Sequence, residues 1–186
     1  SPALTPDAEL SKIPSVAVLP FDNLSADPEQ EYFTDGMTDD LITGLSKLKG
    51  LLVIARNSTF TYKGKSVKVQ QVAEELGVRY VIEGSVRKAK EKVRINVQLI
   101  DAITGHHLWA EFYDGKMTDI FALQDQINQK IISTLEVKLT AVEKSRIAHK
   151  ETSNLKAYDI FLRGWEHYRQ MTPDDFSKAS SYFKEA

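Results

Sequence analysis

The chain has 186 residues, of which 42% are hydrophobic and 27% are charged, a composition typical of globular domains. Its 24 basic and 26 acidic side chains leave a net charge of −2, so no overall positive field attracts nucleic acid or anionic lipid. The absence of cysteine excludes a disulfide framework, a cysteine zinc site and a thiol nucleophile, and no apolar run approaches the roughly 18 residues of a membrane span.

The first third of the chain predicts a parallel strand–helix–strand unit. After a Pro- and Ser-containing linker over residues 1–14, the apolar run at 15–19 predicts a buried strand, which Pro20 closes. Residues 31–49 carry apolar side chains at helical spacing, and residues 51–55 are a second apolar run. Two buried strands joined by a helix favour parallel pairing.

The middle of the chain predicts a short helix, three antiparallel strands and a long helix. The strands alternate polar and apolar residues, and the long helix carries an apolar stripe from Asp119 to about Ile147. The order β-α-β-α-β-β-β-α predicts an α/β (α+β) domain with a mixed sheet over residues 15–147. The short helix and the strands are expected at residues 69–76, 80–87, 93–99 and 107–113.

The last 39 residues, 148–186, predict a helical hairpin of the tetratricopeptide type. Helices are expected at residues 155–169 and 174–186, joined by a turn at 171–173. Ala179, Phe183 and Ala186 fit the second helix of such a repeat, although their spacing from Gly164 is about three residues longer than the repeat expects.

One repeat cannot bury its own apolar face. We therefore expect an interaction surface on these helices, used by a protein partner or by a second copy of the chain. Its predicted members are Phe161, Trp165, Phe176 and Phe183.

The acidic loop after the first strand does not predict a phosphate site, because it lacks the glycines that let backbone N–H groups approach an anion. Asp35, Asp39 and Asp40 could hold a metal ion, but carboxylates near a helix start also complement the helix dipole. We favour the structural role, with Asp27 or Thr34 as a helix cap.

Catalytic motifs are absent around the four histidines and the serines. The segment 56–65, RNSTFTYKGK, could stack nucleic-acid bases, but we favour a cover over one end of the core. Glu83 and Arg56 are both expected to be covered, and we predict a buried ion pair between Glu83 and an arginine. No catalytic, cofactor or metal residue is assigned.

If a small ligand binds, the crevice beyond the strand ends is the first expectation. Three connections would form its rim: the loop at 20–32, the segment 56–62 and the turn at 106. The predicted rim residues are Phe21, Asn23, Tyr32, Arg56, Phe60, Tyr62 and His106.

Two long stretches carry a family resemblance: SVAVLPFDNLSADPEQEYFTDGMTDDLITGLSKLKGLLVIARNSTFTYKGK and VAEELGVRYVIEGSVRKAKEKVRINVQLIDAITGHHLWAEFYDGKMTDIFALQDQI. Over residues 15–139 the chain resembles the TolB-type amino-terminal α/β domain of bacterial class III adenylate/guanylate cyclase-like proteins and of some winged-helix transcriptional regulators. In those proteins the domain stands between an output domain and a tetratricopeptide array. Residues 154–186 resemble the first helices of that array.

The resemblance implies a signalling module without catalysis of its own, since the metal-binding and base-reading residues of a class III cyclase are missing. We expect a regulatory and protein-interaction region that senses a partner or ligand and biases an attached cyclase domain, and so influences cyclic nucleotide synthesis. A winged-helix output domain and an envelope assembly role are the alternatives. Direct nucleic-acid binding is not expected. The side of the bacterial inner membrane, cytoplasmic or periplasmic, stays open.

Overall fold

The computed structural model describes residues 13–135 and 154–186. It confirms the predicted fold class, a mixed α/β fold with a helical C-terminal part. The strands are β1 Ser15–Val18, β2 Asp22–Asn23, β3 Leu52–Val53, β4 Tyr80–Ala89, β5 Lys92–Asp101 and β6 His106–Lys116. The helices are α1 Glu31–Ser46, α2 Arg56–Thr59, α3 Val69–Leu76, α4 Ile120–Thr134, α5 Leu155–Gln170 and α6 Pro173–Glu185.

The six strands form one sheet in the order β3-β1-β4-β5-β6, with β2 paired to β4. β1 runs parallel to both β3 and β4, which confirms the predicted parallel unit, and β4, β5 and β6 form the predicted antiparallel meander. The sequence did not indicate β2, because Asp22 and Asn23 have low strand propensity. They pair with Ser85 and Val86 of β4.

The main core lies between one face of the sheet and helices α1 and α4. The predicted apolar stripe of α1 is confirmed, because Phe33, Met37, Leu41 and Leu45 are buried in it. On β6 the core residue is Trp109, whereas Phe112 on the other face is exposed. A register shift between Leu99 and Ile100 accompanies this arrangement.

The opposite face of the sheet is only partly covered. α3 packs there with Val72 and Ala73 against Ala17, Leu19 and Val81, and these residues form a second, smaller core. α3 is only eight residues long, so it covers β1 and the start of β4. The remainder of this face of β4, β5 and β6 carries mostly polar side chains.

Helix α4 confirms the predicted apolar stripe through Ile120, Leu123, Ile127 and Ile131, which are buried. The prediction continues this helix to about Ile147. Residues 136–153 lie outside the described part of the chain, so the remainder of that prediction is not addressed.

The predicted helical hairpin is present. Asn154 caps α5 by accepting from the backbone N–H groups of Lys156 and Ala157 at 3.0 and 3.2 Å. Met171 adopts a left-handed conformation with φ 59°, and Thr172 then caps α6, with Pro173 in its first turn. The close approach of the two helices requires Gly164, since an added Cβ would lie 2.6 Å from the Phe183 ring.

The hairpin docks on helix α1. Leu162 of α5 lies over Gly36, where a Cβ would come within 2.5 Å of its side chain, and both Tyr158 and Leu162 join the main core. Within residues 13–135 and 154–186, no helix combines the length and the apolar character needed to cross a bilayer.

Candidate functional site: a polar cleft and an aromatic helical face

A cleft of about 540 Å³ opens on the partly covered face of the sheet. Its floor is formed by β4 and β5, one wall by the connection from β1 to β2, and the other wall by the loop after α2. The residues that line it are Leu19, Pro20, Asp22, Leu24, Tyr62, Gly64, Lys65, Ser66, Val67, Glu83, Gly84, Ser85, Asn96 and Gln98.

Four polar side chains form the floor, and we call them the polar quartet: Glu83, Ser85, Asn96 and Gln98. Glu83 stands opposite Gln98, and Ser85 opposite Asn96, across the β4–β5 pair. All four are half-buried, whereas Arg94 farther along the same face of β5 is exposed. None of the four side chains forms a hydrogen bond with another described residue, so their polar groups face the cleft unpaired.

The Glu83 carboxyl is the charged member of the quartet. Burial raises its pKa, the charge of nearby Asp22 raises it further, and His107 acts in the opposite direction. The predicted ion pair between Glu83 and an arginine is wrong: Glu83 has no ion-pair partner among the described residues. The partly covered face leaves Glu83 within reach of water, which removes the need for a buried counter-ion.

Arg56 pairs with a different carboxylate. Its Nε lies 3.5 Å from Asp39 on α1, and its guanidinium lies 3.5 Å from the centre of the Phe60 ring. Arg169 of α5 reaches the same Asp39 carboxylate. Burial lowers the pKa of Arg56 and the charge of Arg169 lowers it further, while Asp39 opposes both effects. Arg56 thus connects α2 to α1 rather than forming part of the cleft.

The remaining predicted rim residues lie in several places. Phe21 is buried in the main core with its ring against Gly84. Tyr32 is also buried there and donates to Asp159 at 2.5 Å. Asn23 organises its own loop by accepting from the Ser25 backbone at 2.9 Å.

Two further rim residues differ in their relation to the cleft. Tyr62 lines it and donates a hydrogen bond to Glu75 of α3. His106 pairs with Asp101, which pairs with Tyr80 at the start of β4. His106 therefore lies at the opposite end of the strands, and the structure does not bring it together with Tyr62.

The acidic side chains of α1 contact hydrogen-bond donors. Lys63 donates to Asp35 at 2.6 Å, and Asp40 accepts from Gln124 at 2.9 Å and from the Tyr158 hydroxyl. Asp27, one of the two predicted caps, caps the short 3₁₀ turn that precedes α1 by accepting from the Glu29 backbone at 2.9 Å. α1 itself begins after Gln30 without a side-chain cap. In the described ranges, no three histidine or acidic side chains gather as a metal site would require.

Polar contacts link the helical hairpin to α1 at three points. One is Tyr158 with Asp40, where burial raises the pKa of the Tyr158 hydroxyl and the Asp40 charge raises it further. The second is Arg169 with Asp39. In the third, Asp159 binds both Tyr32 and Arg163, and Arg163 also donates to the Tyr32 hydroxyl at 2.8 Å.

The hairpin carries a run of adjoining aromatic rings, which we call the aromatic face: Phe161, Trp165, Tyr168, Phe176 and Phe183. Its ring centres follow one another at 5.2–6.0 Å, the usual spacing of aromatic pairs. Phe161 and Phe176 are each 41% exposed. All four predicted members of the helical interaction surface therefore lie together, and Tyr168 joins them.

Sequence reasoning missed three members of the polar quartet: Ser85, Asn96 and Gln98. Alternation along β5 marks Asn96 and Gln98 as facing away from the core, but it does not show that two loops stand over them. One signal was available, since the outward positions change from charged Arg94 to the uncharged amides Asn96 and Gln98 along the strand.

Comparison with known proteins places this geometry in context. Residues 11–132 match the family model described as HilA/YgeH-like transcriptional regulator, second domain. "Putative adenylate cyclase 3" of Rhizobium meliloti (strain 1021) is 55% identical over 161 residues, which cover 87% of this chain and 27% of that protein. The chain thus spans about a quarter of this relative.

Among solved structures, TolB from Acinetobacter baumannii is similar, with a TM-score of 0.50 and 17% identity. The similarity covers 66% of this chain and 28% of the TolB chain. At that identity it supports the fold alone.

Proposed function

The chain belongs to the HilA/YgeH-like transcriptional regulator family, since it matches the model of that family's second domain, and on this premise we propose that it is a non-catalytic regulatory and protein-interaction region of a bacterial signalling protein. It binds a protein through its helical hairpin and biases an attached output domain. The observation that carries the proposal is the aromatic face, where exposed aromatic rings adjoin one another. Contiguous exposed apolar surface of this kind marks protein interfaces, and tryptophan and tyrosine are favoured in their energetic centres.

The contacts between α5 and α1 supply a route from binding to output. Leu162 packs on Gly36, and Tyr158 and Arg169 contact acidic side chains of α1. A partner on the aromatic face contacts α5, the helix that also packs on α1. Such binding shifts the output only if it distinguishes two arrangements of these helices.

We propose an adenylate or guanylate cyclase as the attached output domain. The support is the 55% identity to a protein named as an adenylate cyclase, over 87% of this chain. A winged-helix output domain is the second candidate, which the name of the matching family favours. The domain division at residue 147 and the assignment of the hairpin to a tetratricopeptide array belong to the same proposal. Buried Ala179 and the close contact of Gly164 with Phe183 support the assignment of the hairpin to a tetratricopeptide array.

The interaction is tested by light scattering over a dilution series of the 186-residue chain. We expect self-association that Phe161→Ala combined with Phe176→Ala abolishes, because both rings are exposed and neither lies in the main core. Phe112→Ala is the matched control, since this ring is 69% exposed but lies on β6. A chain that is monomeric at every concentration contradicts self-association, and an equal effect of the control contradicts its assignment to the aromatic face.

The output is tested in the longer protein that carries this region. Cyclic nucleotide synthesis and DNA binding are both measured for the wild type, the double phenylalanine variant and the Phe112→Ala control. A change in cyclic nucleotide synthesis confined to the double variant supports the cyclase proposal, and a change confined to DNA binding supports the winged-helix alternative. If neither activity changes, the hairpin does not regulate the output domain.

A further inference from the structure

The polar cleft has features that a plain solvent-facing sheet lacks. Two loops stand over β4 and β5, and they half-bury the polar quartet. A small-molecule site combines such a concave space with a few convergent polar groups. The volume of about 540 Å³ lies within the usual range for ligand pockets.

The quartet makes no side-chain hydrogen bond to another residue that the structure describes, so its donors and acceptors are open to a ligand. The carboxylate of Glu83 only accepts hydrogen bonds when it is ionised, and the amide oxygens of Asn96 and Gln98 add further acceptors. Because Glu83 stands opposite Gln98 and Ser85 opposite Asn96, these acceptors converge over two neighbouring strand positions. They match a ligand group that carries several N–H donors in a compact arrangement.

Charge selects among such ligands. Asp22 and Glu83 place two carboxylates in the cleft lining, and Lys65 is the lysine in that lining. His107 on β6 also acts on Glu83, in the direction opposite to Asp22. The Lys65 charge acts on Glu75 of α3. Burial disfavours the ionised form of Glu83 and raises its pKa. A bound cation would offset that cost, whereas an anion would meet the repulsion of both carboxylates.

We propose that the polar cleft binds a small organic monocation that carries a guanidinium or primary ammonium group. The cationic group lies on the Glu83 carboxylate, and its remaining N–H donors reach the amide oxygens of Gln98 and Asn96. The apolar part of the ligand lies along Leu19, Pro20 and Val67 of the walls. This site is separate from the aromatic face, so it does not depend on the function proposed above.

The test uses the complete chain and four butyl probes that differ only in the head group: butylguanidinium, butylammonium, butyrate and 1-butanol. Binding is followed by the backbone amide signals in two-dimensional ¹H–¹⁵N NMR spectra. We expect the two cations to shift the signals of residues 83–85 and 96–98, and the anion and the alcohol to leave them unchanged. Equal shifts with butyrate or 1-butanol, or no shifts with either cation, would overturn the proposal.

Two charge-neutralising variants locate the effect. Glu83→Gln is expected to weaken butylguanidinium binding about tenfold or more, because it removes a charge-assisted hydrogen bond. Glu91→Gln removes the same charge from the exposed turn of the same β4–β5 hairpin and is expected to leave the affinity unchanged. Equal losses in both variants would show only a general electrostatic attraction and refute the site. The Glu83 carboxyl has no hydrogen-bond or ion-pair partner among the described residues, so the Glu83→Gln variant is expected to fold.

Discussion

The docking of the helical hairpin on the α/β domain depends on a contact between Gly36 and Leu162, and this contact makes a quantitative prediction. A Cβ at position 36 would lie 2.5 and 2.6 Å from the two terminal methyl carbons of Leu162. Leu162 is buried, so its side chain has little room to move. Gly36→Ala therefore inserts a methyl group into a closely packed contact.

Two opposing effects decide the size of the change. Alanine favours the helix over glycine by about 1 kcal/mol, whereas overpacking a core costs about 1–3 kcal/mol. We expect Gly36→Ala alone to lower the free energy of unfolding by up to about 2 kcal/mol. Leu162→Ala alone should cost about 2–5 kcal/mol, as a buried leucine truncation does.

The double variant separates the two effects. With Leu162→Ala in place the space above position 36 is empty, so Gly36→Ala should become stabilising by about 1 kcal/mol through helix propensity alone. The change of sign between backgrounds is the expected signature of a direct contact. Urea unfolding measures all four free energies, followed by circular dichroism and by tryptophan fluorescence.

The two tryptophans add a spatial readout. Trp109 lies in the main core, and Trp165 lies on the hairpin, so Trp109→Phe leaves a fluorescence signal from the hairpin alone. If Gly36→Ala changes stability equally in both Leu162 backgrounds, the contact does not limit docking and the reasoning is refuted.

Two further predictions concern individual polar groups. Tyr158→Phe removes the buried hydroxyl that donates to the half-buried Asp40 carboxylate and should cost about 1–3 kcal/mol of unfolding free energy, because Asp40 loses a donor. Tyr168→Phe, on an exposed ring, should change the unfolding free energy little, and equal effects of the two variants in urea unfolding would contradict this. Burial raises the pKa of Glu83 above its ordinary value of 4.5 and outweighs the opposing effect of His107, while Asp22 raises the pKa further, so folding favours the protonated carboxyl. That contribution is present below pH 4.5 and is lost as the pH rises through the folded-state pKa. Glu83→Gln should therefore be more stable than the wild type at pH 7, with the difference disappearing towards pH 4, and a difference that persists in acid would refute the assignment.

The sequence by itself determined the elements and the faces that they bury. The stripes of α1 and α4 and the alternation along β4 and β5 predicted which side chains enter the core, because helical and strand periodicities place residues on faces before any tertiary contact exists. The aromatic face was predictable for the same reason: its rings follow helical spacing, and a single helical hairpin cannot bury them.

Only the tertiary structure decided which polar residues meet. Glu83 and Arg56 are both partly buried, yet Arg56 pairs with Asp39 on α1. The neighbours of Glu83 include His107, Asp22, Gln98 and the residues of the two cleft walls. Pairing between charged groups depends on distances of a few ångströms between elements far apart in sequence, and periodicity carries no such distances. The cleft arose in the same way, because a helix as short as α3 covers only part of the sheet and two loops enclose the polar residues beyond it.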